Sequence, residues 1–196
     1  MKTTEVLPKG YEAALSVDLQ GNKKQALLVN AVAIVIALVL AVPMCFLVPI
    51  THLFDMEQGL WLYFLRFLAL LLGMVAYLVL HELTHGVAMK LCGTKKVKYG
   101  FTGLYAYAGS SDYYGKGAYI FIALAPVILW GAVLAILAPL VPVEWFWVVY
   151  LIQITNLSGA AGDFYVTARF FRLPKDILVQ DSGTAMTVYQ RGKDAL

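Results

Sequence analysis

The sequence predicts an all-α membrane protein: four transmembrane helices with a small cytoplasmic β-hairpin or loop element and short C-terminal strands. Composition is the first reason, because 61% of the 196 residues are hydrophobic and only 14% are charged, whereas about a quarter of the residues of a soluble domain are charged. The second reason is four apolar runs, each close to the ~20 residues with which a helix crosses a bilayer. The spans are expected at about 26–48, 60–85, 118–140 and 145–165, within a single domain, 1–196.

The first span, 26–48, contains no charged residue. It is longer than the core of a signal peptide, which has about 7–15 apolar residues. We therefore expect it to remain as a membrane anchor. Pro43 and Pro49 weaken the helix at its far end.

The second span, 60–85, opens with Trp61 and Tyr63, which suit the aromatic belt of a membrane interface. Arg66 lies in its first two turns. Either this side chain reaches back to the interface or it forms a buried ion pair. His52, in the acidic loop before the span, is expected to be a solvated loop residue.

The second span ends in His81-Glu82-Leu83-Thr84-His85. In a helix, side chains four residues apart lie one above the other, so the two imidazoles face the same way, as two ligands of one zinc ion do. Glu82 can act as the general base without being a ligand, as in the H-E-x-x-H pattern of metalloproteases. The alternative is two polar residues and an acid at a membrane boundary. Ionisable groups next to hydrocarbon are costly, which favours the functional interpretation.

The segment that connects the motif to the third span contains lysines, aromatic residues and glycines. Within it, residues 97–108 are rich in aromatic and β-branched types broken by Gly103, which predicts a hairpin. A plain connector is the alternative.

The third span contains Pro126, which should kink it, and the fourth opens with an aromatic belt at Trp145. Beyond the fourth span, 177–189 predicts two short strands around Asp181-Ser182-Gly183.

A catalytic zinc site usually takes three protein ligands and keeps one position for water, so one more ligand is needed. At 1.5 Å per residue, Asp163 lies about 27 Å along the fourth span from Trp145, and His81 about 32 Å along the second span from Leu60. Because both spans run inward, the two residues reach a similar depth. Glu144 lies at the opposite end of the fourth span, on the wrong side.

The residues before Asp163 are small: 158–162 read Ser-Gly-Ala-Ala-Gly. Small residues let neighbouring membrane helices approach closely, which would bring the carboxylate to the metal. Asn156, seven residues earlier, lies on the same helical face as Asp163. It either hydrogen-bonds a substrate or the developing oxyanion, or joins two helices. Three weaker ligand candidates lie on the same side: Asp112, Asp181 and Cys92.

Charge placement predicts the orientation. The N-terminal segment, the 86–117 loop and the C-terminal tail hold 14 of the 15 lysines and arginines, so the positive-inside rule places these three parts, with both termini, in the cytoplasm. We expect a multi-pass protein of the plasma membrane. The basic residues do not alternate with aromatic ones as in a nucleic-acid surface, so no nucleic-acid partner is expected. Cys45 and Cys92 would lie near opposite membrane faces, so free thiols are expected.

With these residues assembled, the chain resembles the prokaryotic four-span putative zincin peptidases, a family related to the site-2 intramembrane metalloproteases. The resemblance rests on five stretches: 81–86, 106–108, 125–126, 156–163 and 179–181. It implies His81, His85 and Asp163 as zinc ligands and Glu82 as the catalytic acid and base. The chain departs from the larger site-2 enzymes, since the segment after Asn156 has no proline and reads Gly-Asp rather than Asp-Gly.

The expected function is therefore zinc-dependent proteolysis within or at the edge of the membrane, near its cytoplasmic face. The substrate would be a single-span membrane protein or a membrane-anchored peptide, reached within the lipid bilayer. One alternative is a catalytically inactive adaptor that binds transmembrane helices, although neither helix binding nor zinc binding needs Glu82. Metal transport is a poorer alternative, because the first span offers only Met44 and Cys45 as further ligands.

Overall fold

The computed structural model describes residues 3–18, 21–103, 105–183 and 185–192. Leu104, in the predicted hairpin, lies outside these ranges. The strands are β1 (Thr3–Thr4), β2 (Tyr11–Val17), β3 (Lys98–Phe101), β4 (Ala106–Gly109), β5 (Tyr113–Gly115), β6 (Leu178–Asp181) and β7 (Met186–Arg191). The α-helices are α1 (Lys23–Leu47), α2 (Leu60–Leu91), α3 (Lys116–Leu137), α4 (Val143–Gly159) and α5 (Ala161–Phe171), with short 3₁₀ helices at Ile50–Phe54 and Ala138–Leu140.

The prediction of an all-α protein is wrong, because five strands form one antiparallel sheet in the order β1-β5-β6-β7-β2. The pairing of β2 with β7 joins Tyr11 to Arg191, and β5 joins β1 to β6. Such pairs are far apart in sequence, so the local periodicity of each segment does not indicate them. Nearer strands match the prediction: β3 and β4 form an antiparallel hairpin, and β6 pairs with β7.

The prediction of four spans is also wrong. The region predicted as 145–165 is two helices, because α4 ends at Gly159 and α5 begins at Ala161. The 17 residues of α4 extend only about 26 Å, less than the ~30 Å hydrocarbon core of a bilayer. Among the described residues, three helices are long and apolar enough to cross a membrane: Lys23–Leu47, Leu60–Leu91 and Lys116–Leu140.

Arg66 is fully buried, so its guanidinium is not exposed to solvent. Its Nη1 donates to the His52 carbonyl at 2.9 Å and its Nε to the Leu62 carbonyl at 3.3 Å, while Nη2 donates to the carbonyl of Asp55. Both sequence interpretations of Arg66 are replaced by a guanidinium that binds backbone carbonyls of the preceding loop and of its own helix.

The chain divides into two compact units. The first consists of 1–29, 82–126 and 162–196, and contains the five-stranded sheet and the β3–β4 hairpin. Its core is built from fully buried residues of several elements: Tyr114, Phe170, Val179 and Val188.

The second unit consists of 30–81 and 127–161. Trp147 is fully buried in it and donates from Nε1 to the Val48 carbonyl at 3.0 Å. The hydroxyl of Tyr150 donates to the Leu40 carbonyl at 3.1 Å. These bonds let polar groups of aromatic residues lie among apolar helices without losing a partner.

Candidate metal centre

Helix α2 carries His81, Glu82 and His85 in one stretch. The boundary between the two units falls within this helix, after His81, so the helix itself fixes the spacing of the two imidazoles. As the four-residue spacing predicts, the histidines occupy successive turns of one face.

The imidazole of His85 is oriented by a backbone carbonyl. Its Nδ1 lies 2.9 Å from the Ile122 carbonyl oxygen in α3. A carbonyl can only accept, so Nδ1 carries the proton and the lone pair of Nε2 is left for a metal. Metal-binding histidines commonly donate their second N–H in this way.

The imidazole of His81 is oriented by two successive side-chain hydrogen bonds. Its Nδ1 lies 2.8 Å from the Tyr77 hydroxyl, which donates to Asn156 Oδ1 at 3.0 Å. The hydroxyl has one proton to donate, so it accepts from His81 Nδ1–H, and Nε2 of His81 is again left for a metal.

Asn156 is fully buried and is held at both ends of its amide. Its Nδ2 donates to the Val127 carbonyl at 3.4 Å and to Gln153 Oε1 at 3.3 Å, while its Oδ1 accepts from Tyr77. The structure therefore places Asn156 behind His81, where it fixes Tyr77. Its predicted role in catalysis stays a prediction.

Asp163 lies in the first turn of α5, and its Oδ1 is 3.8 Å from His85 Nε2. One ligand atom from each of His81, His85 and Asp163 lies within 4.8 Å of the others. Two ligands about 2.1 Å from a tetrahedral zinc ion are about 3.4 Å apart, so the three ligand atoms need to approach one another by about 1.4 Å at most. The donor set and its spacing fit zinc.

Glu82 follows His81 directly but is not part of the three-ligand set. Its half-buried carboxylate accepts a hydrogen bond from the backbone N–H of Ala108 in β4. The carboxylate is thus beside the ligands and remains available to exchange a proton. The same bond fastens the β3–β4 hairpin to the motif.

Asp181 is not in the ligand set either. Its Oδ2 accepts a hydrogen bond from the Tyr119 hydroxyl and its Oδ1 accepts from the backbone N–H of Gly183 at 2.8 Å. Burial raises the pKa of the Asp181 carboxyl above its usual range. The other weaker candidates also have partners outside the ligand set: Asp112 is buried in a turn with Ser110, and the buried Cys92 thiol donates to the Ala118 carbonyl at 4.0 Å.

Tyr77 and the Ile122 carbonyl are not among the site groups predicted from the sequence. A signal existed for each: Tyr77 precedes His81 by four residues, so it shares a helix face with it, and Ile122 precedes Pro126 by four residues. No signal of that local kind marks Tyr119 beside Asp181, because these residues are 62 positions apart.

Comparison with known proteins places this geometry in context. Residues 74–178, more than half of the chain, match the family described as "Putative zincin peptidase". An uncharacterised 24.7 kDa protein from the gap 5′ region of Pyrococcus woesei is 30% identical over 122 residues, or 60% of this chain. The match spans about half (53%) of that relative's length. No solved structure matches the chain significantly.

The matched residues run from the last turns of α2 to the start of β6, and so include both imidazoles, Glu82 and Asp163. A zincin is a metallopeptidase that binds zinc through such residues. The chain therefore belongs to the family described as "Putative zincin peptidase", which indicates a zinc-binding metallopeptidase.

Proposed function

We propose that the protein is an intramembrane metalloprotease of the site-2 kind, which hydrolyses a peptide bond of a membrane-embedded or membrane-anchored substrate near the cytoplasmic face. The observation that carries this proposal is the approach of His81, His85 and Asp163 to within 4.8 Å, with Glu82 beside them. All four residues lie on or next to helices with apolar surfaces.

The residues divide the chemistry between them. His81, His85 and Asp163 would hold zinc, which would supply a Lewis acid for activating water and polarising a carbonyl. The Glu82 carboxylate takes a proton from the attacking water and passes it to the leaving amide nitrogen. Tyr77 and Asn156 act through His81. Tyr77 is hydrogen-bonded to His81 Nδ1 and Asn156 to Tyr77, so the two residues fix the orientation of the imidazole.

Strand β4 is the proposed guide for the substrate. Its register with β3 pairs Gly100 with Tyr107, and the Ala108 N–H donates to Glu82, which keeps the hairpin beside the motif. An extended substrate would add to the β3–β4 hairpin as a further strand, a known mode of peptide recognition. Pairing would also unwind a helical substrate, whose carbonyls are otherwise hidden in its own hydrogen bonds.

Location follows from the same elements. Three helices are apolar and long enough to cross a membrane. Three crossings alone would put β2 and β7 on opposite sides, so the pairing of these strands in one sheet requires the chain after α3 to return to the side on which β2 lies. Because 14 of the 15 basic residues flank the spans on the side of these strands, we place that side in the cytoplasm, in the plasma membrane. The partner is a single-span membrane protein or a membrane-anchored peptide.

The test is cleavage by the purified full chain in detergent or liposomes, with single-span proteins as candidate substrates. Glu82→Gln should lose cleavage while retaining zinc, and Asp163→Ala should lose zinc. Chelation should stop cleavage and zinc repletion should restore it. Asp112→Asn, outside the ligand set, is the control for loss of a buried carboxylate.

Cleavage by Glu82→Gln at the wild-type rate would contradict the proposed mechanism. Full zinc occupancy in Asp163→Ala would move the third ligand elsewhere. Stable co-purification of an uncleaved membrane partner, equal in wild type and Glu82→Gln, would favour the adaptor.

A further inference from the structure

Pro126 lies inside α3 and is fully buried. In an α-helix the N–H of each residue donates to the carbonyl four residues earlier. Proline has no N–H, so the carbonyl of residue i−4 receives no helical hydrogen bond from it. The carbonyl that loses its helical donor to Pro126 is that of Ile122.

The Ile122 carbonyl is the one that His85 uses. His85 Nδ1 donates to it at 2.9 Å, and Ile122 is almost fully buried, with 2% of its surface exposed. A buried carbonyl without a hydrogen-bond donor is costly. Pro126 leaves the Ile122 carbonyl without its helical donor, and the His85 N–H donates to that carbonyl instead.

We propose that Pro126 is a positioning residue for the metal site. By withholding a backbone N–H, it turns the Ile122 carbonyl toward His85 and so holds the imidazole with Nε2 facing Asp163. The inference rests on the proposed zinc site for its function, but the orientation of His85 is a property of the metal-free chain.

The expected effect of Pro126→Ala follows from helix geometry. Alanine restores an N–H at position 126, which would draw the Ile122 carbonyl back along the helix axis and away from His85. The imidazole would then lose the partner that fixes its tautomer, and Nε2 would carry the proton in part of the molecules.

The tautomer can be read in metal-free protein by NMR of ¹⁵N-labelled histidine, at a pH where imidazole is neutral. The chain has three histidines, and His52→Asn and His81→Gln assign the His85 signals. Wild type should show His85 protonated at Nδ1, and Pro126→Ala a mixture. In a chelator competition, Pro126→Ala should raise the Kd for zinc about 10- to 100-fold.

Two variants separate the missing donor from other effects of proline. Pro43→Ala restores the same kind of helical N–H in α1 and should change neither readout. Replacing Pro126 by lactic acid, the α-hydroxy analogue of alanine, removes the ring without restoring an N–H. It should keep the wild-type tautomer and zinc affinity.

Unchanged His85 tautomer and zinc Kd in Pro126→Ala would overturn the proposal. So would a lactic acid variant that behaves like Pro126→Ala, because the ring would then matter rather than the missing donor. The wild-type protein could bind no zinc while the His85 tautomer still changes in Pro126→Ala. That result would overturn the proposed function and support the positioning of His85.

Discussion

The two imidazoles of the motif donate through the same nitrogen to acceptors of different kinds. His85 donates to a backbone carbonyl, which no side-chain substitution at Ile122 removes. His81 donates to the hydroxyl of Tyr77, and the substitution Tyr77→Phe removes this acceptor. Tyr77 is therefore the more direct way to test whether hydrogen bonds behind the ligands control the metal.

We expect Tyr77→Phe to weaken zinc binding about 10-fold or more, because partners of metal-ligating histidines commonly contribute 10- to 100-fold to affinity. The measurement is the zinc Kd by chelator competition. Tyr150→Phe removes a hydroxyl that donates to the Leu40 carbonyl in the same unit, and should leave the Kd unchanged. Equal affinities in wild type and Tyr77→Phe would show that Tyr77 does not position His81.

Asp181 makes the stability of the first unit depend on pH. Burial raises the pKa of its carboxyl, so the folded protein holds the proton more tightly than the unfolded chain does. The stability contributed by the neutral carboxyl is fully present below about pH 3.9, the ordinary pKa of aspartate. It is lost as the pH rises through the raised pKa.

Asp181→Asn keeps this side chain neutral, so we expect the Tm of the variant to gain on that of wild type as the pH rises from about 4. Thermal unfolding in detergent across the pH range measures the difference. Asp176→Asn, at an exposed position, controls for loss of one negative charge. A constant difference in Tm between wild type and Asp181→Asn would contradict the expected linkage.

At the scale of the elements, sequence predicts what is local. Helix α2 follows from its long apolar run, in which Arg66 is the one charged residue before the motif, and the β3–β4 hairpin follows from its aromatic residues and Gly103. His81, Glu82 and His85 needed only the spacing within one helix. The break at Ala160 was missed because 158–162 also suits close helix packing. Asp163 still comes to lie beside His85, although in α5 rather than in a continuous fourth span.

Strand β4 meets the β6–β7 turn where Gly109 leaves no room for a side chain. A Cβ at Gly109 would overlap the backbone of Ser182, and the Ser110 N–H donates to the Asp181 carbonyl at 2.7 Å. Because backbone cannot rotate aside as a side chain can, this junction needs glycine.

Gly109→Ala should therefore destabilise the protein by about 1–3 kcal/mol, the usual cost of overpacking, which thermal or denaturant unfolding in detergent measures. Gly117→Ala is the matched control, because a Cβ there meets nothing within 4 Å. In helix α3 it should be neutral or stabilising by up to about 1 kcal/mol. Equal stabilities of the two variants would contradict the close contact at Gly109.

At the scale of the whole molecule, the sheet gathers segments that the apolar helices separate along the chain. Strands β2, β5 and β7 come from before α1, before α3 and after α5. Helical periodicity gave no sign of this, because strand partners are chosen by the entire topology rather than by neighbouring residues. The result is that β2 and β7, which lie on either side of the apolar helices in the sequence, are neighbours in one sheet.

This arrangement predicts that β2 and β7 are equally accessible to a labelling reagent added from one side of the membrane. In a background of Cys45→Ala and Cys92→Ala, single cysteines from Ala14→Cys and Gln190→Cys should react with an impermeant maleimide only after cells are permeabilised. Glu57→Cys, in the loop between α1 and α2, should react in intact cells. Labelling of Ala14→Cys or Gln190→Cys in intact cells would contradict the cytoplasmic placement.

The pairing of Tyr11 with Arg191 also determines when the sheet can form during synthesis. A ribosome adds about 5–20 residues per second, so the first strand waits roughly 10 to 40 s for its partner to be translated. The five-stranded sheet can therefore close only after all five α-helices have been synthesised.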